Sequence, residues 1–181
     1  MRTALIIIDM QMMMQDRMDA GRDFVNPEAP GNIAALAAHF RATGQPVVHV
    51  RHSDDTAGSP LHPDASGYQP MPCAVAQDGE PVFIKTTSSA FASTDLEAWL
   101  RSEGIIDVLV TGAVASFCVN SAVRAGADLG FNMSIVEDAV IDFDLPHAGL
   151  GAQQIFDVSM GLLEADFAKV VTTSEALGGA G

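Results

Sequence analysis

The chain has 181 residues, of which 48% are hydrophobic, so it is long and apolar enough to form one domain with a sizeable core. Nine Lys and Arg residues against 23 Asp and Glu residues give a formal net charge of -14 at pH 7. This charge repels nucleic-acid phosphates and anionic membrane surfaces, so neither is an expected partner. We expect residues 1–181 to form a single domain.

The amino-terminal apolar run does not have the pattern of a signal peptide. Asp9 interrupts it, and no small-residue cleavage site follows a long hydrophobic segment. Without an export signal or a membrane-spanning run, the protein is expected to be cytoplasmic. A structural disulfide is unexpected in that reducing compartment, so Cys73 and Cys118 are both interpreted as free thiols, and Cys73 as an inert one.

Short aliphatic runs alternate with helical patterns along the chain. The runs lack polar alternation, which is typical of strands buried on both faces of a parallel sheet. The strands are predicted at Thr3–Ile8, Pro46–Val50, Pro81–Lys85, Asp107–Thr111, Asn132–Asp138 and Lys169–Thr173. Helices are predicted over residues 31–44, 94–104, 116–130 and 151–167. This alternation predicts an α/β fold, a three-layer α/β/α sandwich with a mainly parallel sheet of about six strands.

Local signals mark helix ends and one long loop. Gly44 and Gly104 stand where a glycine that ends a helix is favoured. Thr94 and Glu97 have the spacing of a capping box, which predicts a helix start there. The segment 52–79 is rich in Pro, Gly, Ser and Asp and is too long for a simple connection, which is typical of functional loops.

Three chemically capable residues fall at or just beyond the ends of predicted strands. Asp9 follows the first strand, Lys85 ends the third, and Cys118 begins the helix after the fourth. Ligands of open α/β sheets bind beyond the carboxyl ends of the strands, so these side chains can meet at one edge. Taken singly, each also has an ordinary explanation, as a turn residue, a solvated strand end and a small core side chain.

Taken together, the same three residues form a nucleophile, a base and an electrostatic partner. A helix N-terminus and a nearby ammonium both favour thiolate, so we expect Lys85 and the helix to lower the pKa of Cys118. Asp9 would take the thiol proton and later transfer it to a leaving amine.

The chain resembles the isochorismatase-like cysteine hydrolases, which include nicotinamidases, carbamoylsarcosine and ureidoacrylate amidohydrolases and streptothricin hydrolase. The resemblance is carried by LIIIDMQ, KTTSSAF followed by TDLEAWL, VTGAVASFCVNSAVRAGADLGFNMSIVEDA and the terminal DFAKVVTTSEAL. It implies that Asp9, Lys85 and Cys118 are catalytic and that a non-proline cis peptide bond joins Ala113 to Val114. It also implies an oxyanion hole formed by the backbone N–H groups of Val114 and Cys118.

The activity that the resemblance implies is hydrolysis of a small amide, carbamoyl or lactam C–N bond through a thioester acyl-enzyme. Members that cleave a vinyl ether often lack the cysteine, so Cys118 favours amide chemistry. Two alternatives stay open, an isochorismatase-type vinyl ether hydrolase and a non-catalytic α/β binding protein or thiol sensor.

Several residues near the predicted edge are candidates for contact with the small-molecule substrate. They are Arg51, His52, Phe91, Phe117 and His147. The resemblance also implies a homo-oligomer, a dimer or a tetramer.

No cofactor is expected. Nicotinamidases of the family bind a divalent metal through an Asp-x-His pair, whereas this chain has RHSDD, with His52 and Asp54 in the reversed order. His52, Asp54 and His62 are the residues that would hold a metal if one bound.

Overall fold

The structure is a computed structural model that describes residues 2–178. The strands are β1 (Thr3–Ile8), β2 (Val47–His52), β3 (Val82–Lys85), β4 (Asp107–Ala113), β5 (Asn132–Ile141) and β6 (Lys169–Val171). The α-helices are α1 (Met12–Asp19), α2 (Ala29–Ala42), α3 (Leu96–Ser102), α4 (Asn120–Asp128), α5 (Ala152–Asp166) and α6 (Thr173–Ala176). The six strands form one parallel sheet in the order β3-β2-β1-β4-β5-β6, which confirms the predicted fold.

The two faces of the sheet bury separate hydrophobic cores. Ile6 and Ile8 of β1 point to the face covered by α3, α4 and α5, whereas Leu5 and Ile7 point to the face covered by α1 and α2. Helices therefore shield both sides of the central strand and form the outer layers of the sandwich. Among the described residues, no helix has the length and apolar character needed to cross a membrane.

Two helices in the structure were not predicted from the sequence. Helix α1 has only eight residues and no side-chain cap, and α6 is a single turn of four residues. Short helices carry little periodic signal, so their formation depends on tertiary packing. Met13 and Met14 of α1 are buried beneath the loop that follows β2, which explains why this helix forms.

The predicted capping box at Thr94 is wrong, and α3 begins at Leu96. The Thr94 hydroxyl donates to the Ala90 carbonyl at 2.6 Å and accepts a longer bond from the Leu96 amide at 3.2 Å. Glu97 is used differently, since its carboxylate accepts from Arg101 one turn later. Thr94 therefore stabilises the loop before α3 through its bond to Ala90, instead of capping the helix as the sequence pattern predicted.

Strand β5 is longer than predicted and carries an irregularity that shapes its far end. Its register against β4 shifts between Val110 and Gly112, and pairing then resumes through Ala113 with Ile141. Bulges of this kind bend a strand and redirect the residues beyond them. Asp142 follows directly, next to the end of β4.

The connection from β2 to β3 contains no α-helix. Two short 3₁₀ turns, Ser66–Tyr68 and Pro72–Ala74, take its place. The Met12 amide donates to the Gln69 carbonyl and the Met71 amide to the Met10 carbonyl, so the loop is attached to the segment after β1.

Candidate active site

The carboxyl ends of β1 and β3 and the turn after β4 bring Asp9, Lys85 and Cys118 together. Lys85 Nζ lies 2.8 Å from Asp9 Oδ2 and 3.3 Å from Cys118 Sγ. Lys85 is 0% and Asp9 2% exposed, so the ion pair is withdrawn from water. Burial of a charge pair gains little stability against an apolar replacement, which makes a chemical role the better explanation for this one.

Asp9 leaves the strand conformation at the end of β1. Its φ is 49°, in the left-handed region that Asp tolerates better than most residues, and its amide donates to the Val50 carbonyl of β2 at 2.9 Å. The carboxylate is bound to Lys85 through Oδ2 alone, because the buried Oδ1 has no hydrogen-bond partner within residues 2–178. One carboxylate oxygen is therefore free to accept a proton.

The Lys85 ammonium makes two further contacts. Nζ lies 2.8 Å from His52 Nδ1 and donates to the Thr87 carbonyl at 3.1 Å. His52 and Lys85 are paired in register on neighbouring strands and so face the same side of the sheet. Burial and the Lys85 charge lower the pKa of His52, so the imidazole is neutral and accepts at Nδ1. His52 therefore helps to hold the ammonium in place.

Gln11 is a site residue that the sequence reasoning missed. Its side chain donates to the carbonyls of His52, at 3.0 Å, and Tyr68, at 2.9 Å, and accepts from the His52 amide at 2.8 Å. The residue is 0% exposed and all of these bonds reach other segments. The available signal in the sequence was a polar residue among methionines, two positions after Asp9 at the end of the first strand.

The electrostatics of the site correct the expected state of the thiol. Burial and the Asp9 charge raise the pKa of Cys118 to about 12, and the opposing effect of Lys85 is smaller. Burial also raises the pKa of Asp9, although Lys85 opposes that shift. The predicted lowering of the Cys118 pKa is therefore wrong, and the resting site holds a neutral thiol beside an Asp9–Lys85 ion pair.

Cys118 lies in a single π-helical turn, Ala115–Val119, which we call the Cys118 turn. The Phe117 and Val119 amides both donate to the Val114 carbonyl, at 3.0 and 3.2 Å. The turn continues directly into α4, so Cys118 precedes the regular helix instead of occupying its first position. The peptide bond between Ala113 and Val114, just before the turn, is cis.

Asp142 anchors the Cys118 turn and was also missed. Its carboxylate accepts from the Ser116 amide and the Ser116 hydroxyl, each at 2.9 Å, and from the Phe143 amide at 2.9 Å. Asp142 is 1% exposed, so these three bonds are shielded from water. Asp142 directly follows the apolar run of residues 139–141, in a position like that of Asp9 after its own run, and this was the signal in the sequence.

Two of the candidate substrate contacts, Arg51 and Phe91, have other surroundings in the structure. Arg51 precedes His52 on β2 and therefore points to the opposite face of the sheet, where its buried Nε has no partner within residues 2–178. Phe91 packs against the core under α3 to α5, with its ring centroid 5.7 Å from that of Phe131. Arg51 therefore faces away from Cys118, whereas Phe91 packs against the same hydrophobic core as Cys118.

The remaining two candidates lie at the carboxyl edge of the sheet. Phe117 is 50% exposed within the Cys118 turn, which places an apolar ring beside the thiol. His147 is exposed on a 3₁₀ turn, Pro146–Ala148, after β5.

The potential metal ligands differ from those considered in the sequence. Among residues 2–178, Asp9, His52 and Cys118 are the one group of three whose ligand atoms converge, all within 4.8 Å of one another. Lys85 Nζ lies 2.8 Å from both Asp9 Oδ2 and His52 Nδ1, so an ammonium already occupies the position between these groups and neutralises the Asp9 carboxylate. The donor set therefore does not fit a metal unless Lys85 moves.

Asp54 and His62 do not join this group. Asp54 Oδ1 accepts from the Thr56 amide at 2.9 Å, and His62 Nδ1 lies 3.7 Å from Asp64. Both side chains are used within the loop that follows β2.

Comparison with known proteins identifies the family of the chain. The isochorismatase domain model matches residues 3–175. The chain is 30% identical to the isochorismatase family protein YrdC of Bacillus subtilis, over 97% of this chain and 95% of the relative. It is 28% identical to the ureidoacrylate amidohydrolase RutB of Pseudomonas syringae, over 76% and 69%. A solved isochorismatase-family structure from Chromobacterium violaceum superposes with a TM-score of 0.92 at 30% identity, over 98% and 92%. With the family model spanning the whole sheet and its strand-end residues, the chain belongs to the isochorismatase family of hydrolases.

Proposed function

We propose that this hydrolase uses Cys118 to cleave the C–N bond of a small amide, carbamoyl or lactam substrate through a thioester. The observation that carries the proposal is the buried contact of one ammonium, Lys85 Nζ, with both the Asp9 carboxylate and Cys118 Sγ. This arrangement holds a base and a nucleophile on the same cation and within 4.8 Å of each other, and such proximity favours proton transfer between them.

In the first step Asp9 Oδ1 accepts the thiol proton while Cys118 Sγ attacks the substrate carbonyl carbon. The Lys85 ammonium stays in contact with both groups, so the negative charge moves from carboxylate to sulfur without leaving its counterion. The C=O π electrons move onto oxygen and form a tetrahedral oxyanion. The backbone N–H groups of Val114 and Cys118 would stabilise this oxyanion, and such donors contribute about 2.7–4 kcal/mol in other enzymes.

The Val114 amide is suited to that role. Within the described part of the chain its N–H has no hydrogen-bond acceptor, and water does not readily replace one because the residue is only 9% exposed. An unsatisfied donor beside a nucleophile is stabilised when a substrate oxygen arrives.

Collapse of the tetrahedral intermediate breaks the C–N bond and leaves a thioester. Protonated Asp9 gives its proton to the departing nitrogen, which leaves as ammonia or an amine, or stays attached in the case of a lactam. Water then attacks the thioester with Asp9 as the base, the C–S bond breaks, and the proton returns to Cys118. Atoms and charge balance without any cofactor, because Lys85 supplies the positive charge.

The decisive experiment measures turnover of a panel of small amides, ureas, carbamoyl compounds and lactams, by release of ammonia or ring opening. Cys118→Ala is expected to lower kcat by at least about a thousandfold, while chelator treatment leaves it unchanged. Cys73→Ala is the matched control, because it removes the other thiol, which packs against the opposite core.

Two results would contradict the proposal. Turnover of a panel member that survives in Cys118→Ala would exclude the thioester. Failure to trap an acyl-enzyme by intact-mass measurement on a true substrate would have the same consequence for the covalent step.

A further inference from the structure

His52 lies between the buried ion pair and the open edge of the site. Its Nδ1 is 2.8 Å from Lys85 Nζ, and one of its ring nitrogens lies within 4.8 Å of both Cys118 Sγ and an Asp9 carboxylate oxygen. Asp9 and Lys85 are buried, whereas His52 and Cys118 are half-buried. A ligand that approaches from the carboxyl edge of the sheet therefore meets the imidazole next to the thiol.

The contact with Lys85 determines which ring nitrogen of His52 carries the hydrogen. An ammonium donates hydrogen bonds and accepts none, so Nδ1 has to be the acceptor and carries no hydrogen. A neutral imidazole then has its single N–H at Nε2. Nε2 has no hydrogen-bond partner in the part of the chain that the structure describes, and it is not closed off from solvent. The site therefore contains an unused donor beside the nucleophile.

The backbone of His52 is held on both sides by one side chain. Gln11 Nε2 donates to the His52 carbonyl at 3.0 Å, and Gln11 Oε1 accepts from the His52 amide at 2.8 Å. His52 also pairs in register with Lys85 of β3. Because the imidazole is fixed at its backbone and at Nδ1, a ligand that binds Nε2–H loses little free energy in ordering the donor.

The position of His52 separates this donor from the expected oxyanion hole. The backbone amide of Val114 follows β4, whereas His52 ends β2, and β1 lies between these two strands. A substrate whose carbonyl oxygen faces Val114 therefore has a different part of the molecule near His52. An acceptor about 2.9 Å from Nε2 and a carbonyl carbon about 3–3.5 Å from Cys118 Sγ lie only a few bonds apart, since the imidazole is so close to the sulfur.

We infer that His52 donates from Nε2 to a neutral acceptor on the acyl part of the substrate, an ether or carbonyl oxygen one or two carbons from the scissile carbonyl. His52 would thus select amides that carry such an oxygen. The inference rests on the proposed function and adds the substrate class to it. An amine at the same place would set two donors against each other and is disfavoured.

The first test compares amides that are matched in size and differ in the acceptor. Methoxyacetamide has an ether oxygen where butyramide has a methylene, and acetoacetamide has a keto oxygen where isovaleramide has a methyl group. Wild type is expected to favour the acceptor compound of each pair by at least about threefold in kcat/KM, the usual gain from a neutral hydrogen bond. The oxygen also changes the reactivity of the amide, but this contribution cancels when the ratio in a variant is compared with that in wild type.

Two substitutions separate substrate binding from support of Lys85. His52→Asn places an amide oxygen near the Nδ1 position and can still accept from Lys85, but it has no donor at the Nε2 position. His52→Gln places an amide nitrogen near the Nε2 position and loses the acceptor for Lys85. We expect His52→Asn to lower the acceptor preference by at least about threefold through KM, and His52→Gln to keep the preference while lowering kcat for both compounds.

His39→Asn is the matched control, because it makes the same change on α2, at the amino ends of the strands. It should leave the preference as in wild type. The reverse pattern, in which His52→Asn keeps the preference and His52→Gln loses it, would mean that His52 acts through Lys85 alone and would overturn the inference. The same kcat/KM ratio in wild type and His52→Asn would overturn it as well.

A binding measurement separates this inference from the proposed function. Calorimetry on Cys118→Ala should show tighter binding of methoxyacetamide than of butyramide, and His52→Asn in the same background should abolish the difference. Equal binding of the two, or no binding of methoxyacetamide up to about 50 mM, overturns the inference even if both amides are hydrolysed. Acceptor-selective binding without hydrolysis of any panel member would instead contradict the proposed function and leave the His52 contact standing.

Discussion

At the residue scale, burial and the charges on Asp9 and Lys85 together determine whether Cys118 is a thiol or a thiolate. Lys85 favours thiolate, but burial and the Asp9 carboxylate outweigh it and keep the proton on sulfur. Transfer of that proton to Asp9 creates no additional net charge, since one anion beside Lys85 is exchanged for another. Under the proposed mechanism, the buried ion pair would therefore keep Cys118 unreactive until a substrate drives the proton transfer.

This balance predicts opposite effects of one substitution on reactivity and on catalysis. Asp9→Asn removes an anion that raises the Cys118 pKa and leaves Lys85 to lower it, so the pKa falls from about 12. A lower pKa means more thiolate at pH 8, and alkylation of Cys118 by iodoacetamide should be faster in Asp9→Asn than in wild type. Turnover should nevertheless fall by at least about a hundredfold, because the base is missing.

Alkylation is followed by mass spectrometry over a pH series. In wild type the rate should increase with pH throughout the range below about 12, since the fraction of thiolate increases. Cys118→Ala gives the contribution of Cys73, whose pKa burial raises to about 11. Rapid alkylation of wild type at pH 7, unaffected by Asp9→Asn, would contradict this account of the site.

At the scale of elements, the ends of β4 and β5 together determine the geometry of the Cys118 turn. The register shift in β5 places Asp142 beside the turn, and the Asp142 carboxylate binds both polar groups of Ser116. The turn is thus attached to the neighbouring strand as well as to α4. Asp142 acts through Ser116 and is a positioning residue.

Weakening this attachment should lower kcat more than it lowers stability, and a substitution that removes more of the bonds should lower kcat further. Asp142→Asn lowers the number of strong acceptors and should reduce kcat by about ten- to a hundredfold, the equivalent of one charged hydrogen bond. Ser116→Ala keeps the bond from the Ser116 amide and should have a smaller effect. Steady-state kinetics alongside thermal unfolding check this, and a loss confined to the unfolding temperature would assign Asp142 a structural role alone.

Gly112 permits the close pairing of β4 with β1. Its φ is 120°, and a Cβ at this position would lie 2.1 Å from the carbonyl oxygen of Ile8, one residue before Asp9. Because both contacting groups are backbone in buried strands, neither can move aside cheaply. The glycine therefore allows the strand that precedes Asp9 to approach the strand that precedes Cys118.

We predict that Gly112→Ala lowers the free energy of unfolding by about 3 kcal/mol or more, or prevents folding. Gly44→Ala is the matched control, because Gly44 also has positive φ, 67°, but no atom within 4 Å of the added Cβ. The control should lose about 1–2 kcal/mol, the cost of the left-handed conformation. Urea denaturation compares the two, and similar losses would contradict the close-approach argument.

At the scale of the whole molecule, a strongly acidic surface coexists with exposed apolar side chains. Val158 and Leu162 lie one turn apart on α5 and are 62% and 53% exposed, and Val82 and Ile84 are exposed on the edge strand β3. Apolar surface favours association, whereas the net charge of -14 opposes it.

We therefore predict that the protein forms a dimer or tetramer whose stability increases with salt. Higher ionic strength screens the repulsion between like-charged subunits and leaves the apolar contact intact. Sedimentation equilibrium at about 0.05 and 0.5 M NaCl measures the association constant at the two extremes. A monomer of 18.9 kDa at both salt concentrations would contradict the prediction.

The sequence by itself determined the order of the six strands and of four helices, and it indicated the three residues at or just beyond the strand ends. Uninterrupted aliphatic runs such as Thr3–Ile8 are buried on both faces when they form strands of a covered parallel sheet. The carboxyl ends of such strands lie at one edge of the sheet, which brings Asp9 and Lys85 together there. Local pattern also placed Gly44 and Gly104 correctly after their helices, where both have positive φ. These features depend on periodicity and backbone preference, which a sequence displays directly.

Only the tertiary structure decided the state of the thiol and the residues that support it. Whether Lys85 or Asp9 dominates the Cys118 pKa depends on burial and on distances that no spacing along the chain contains. Gln11 and Asp142 acquire their roles from partners far away in sequence. Electrostatic interactions and buried hydrogen bonds depend on three-dimensional neighbours, so the fold has to be known before the chemistry of these residues can be read.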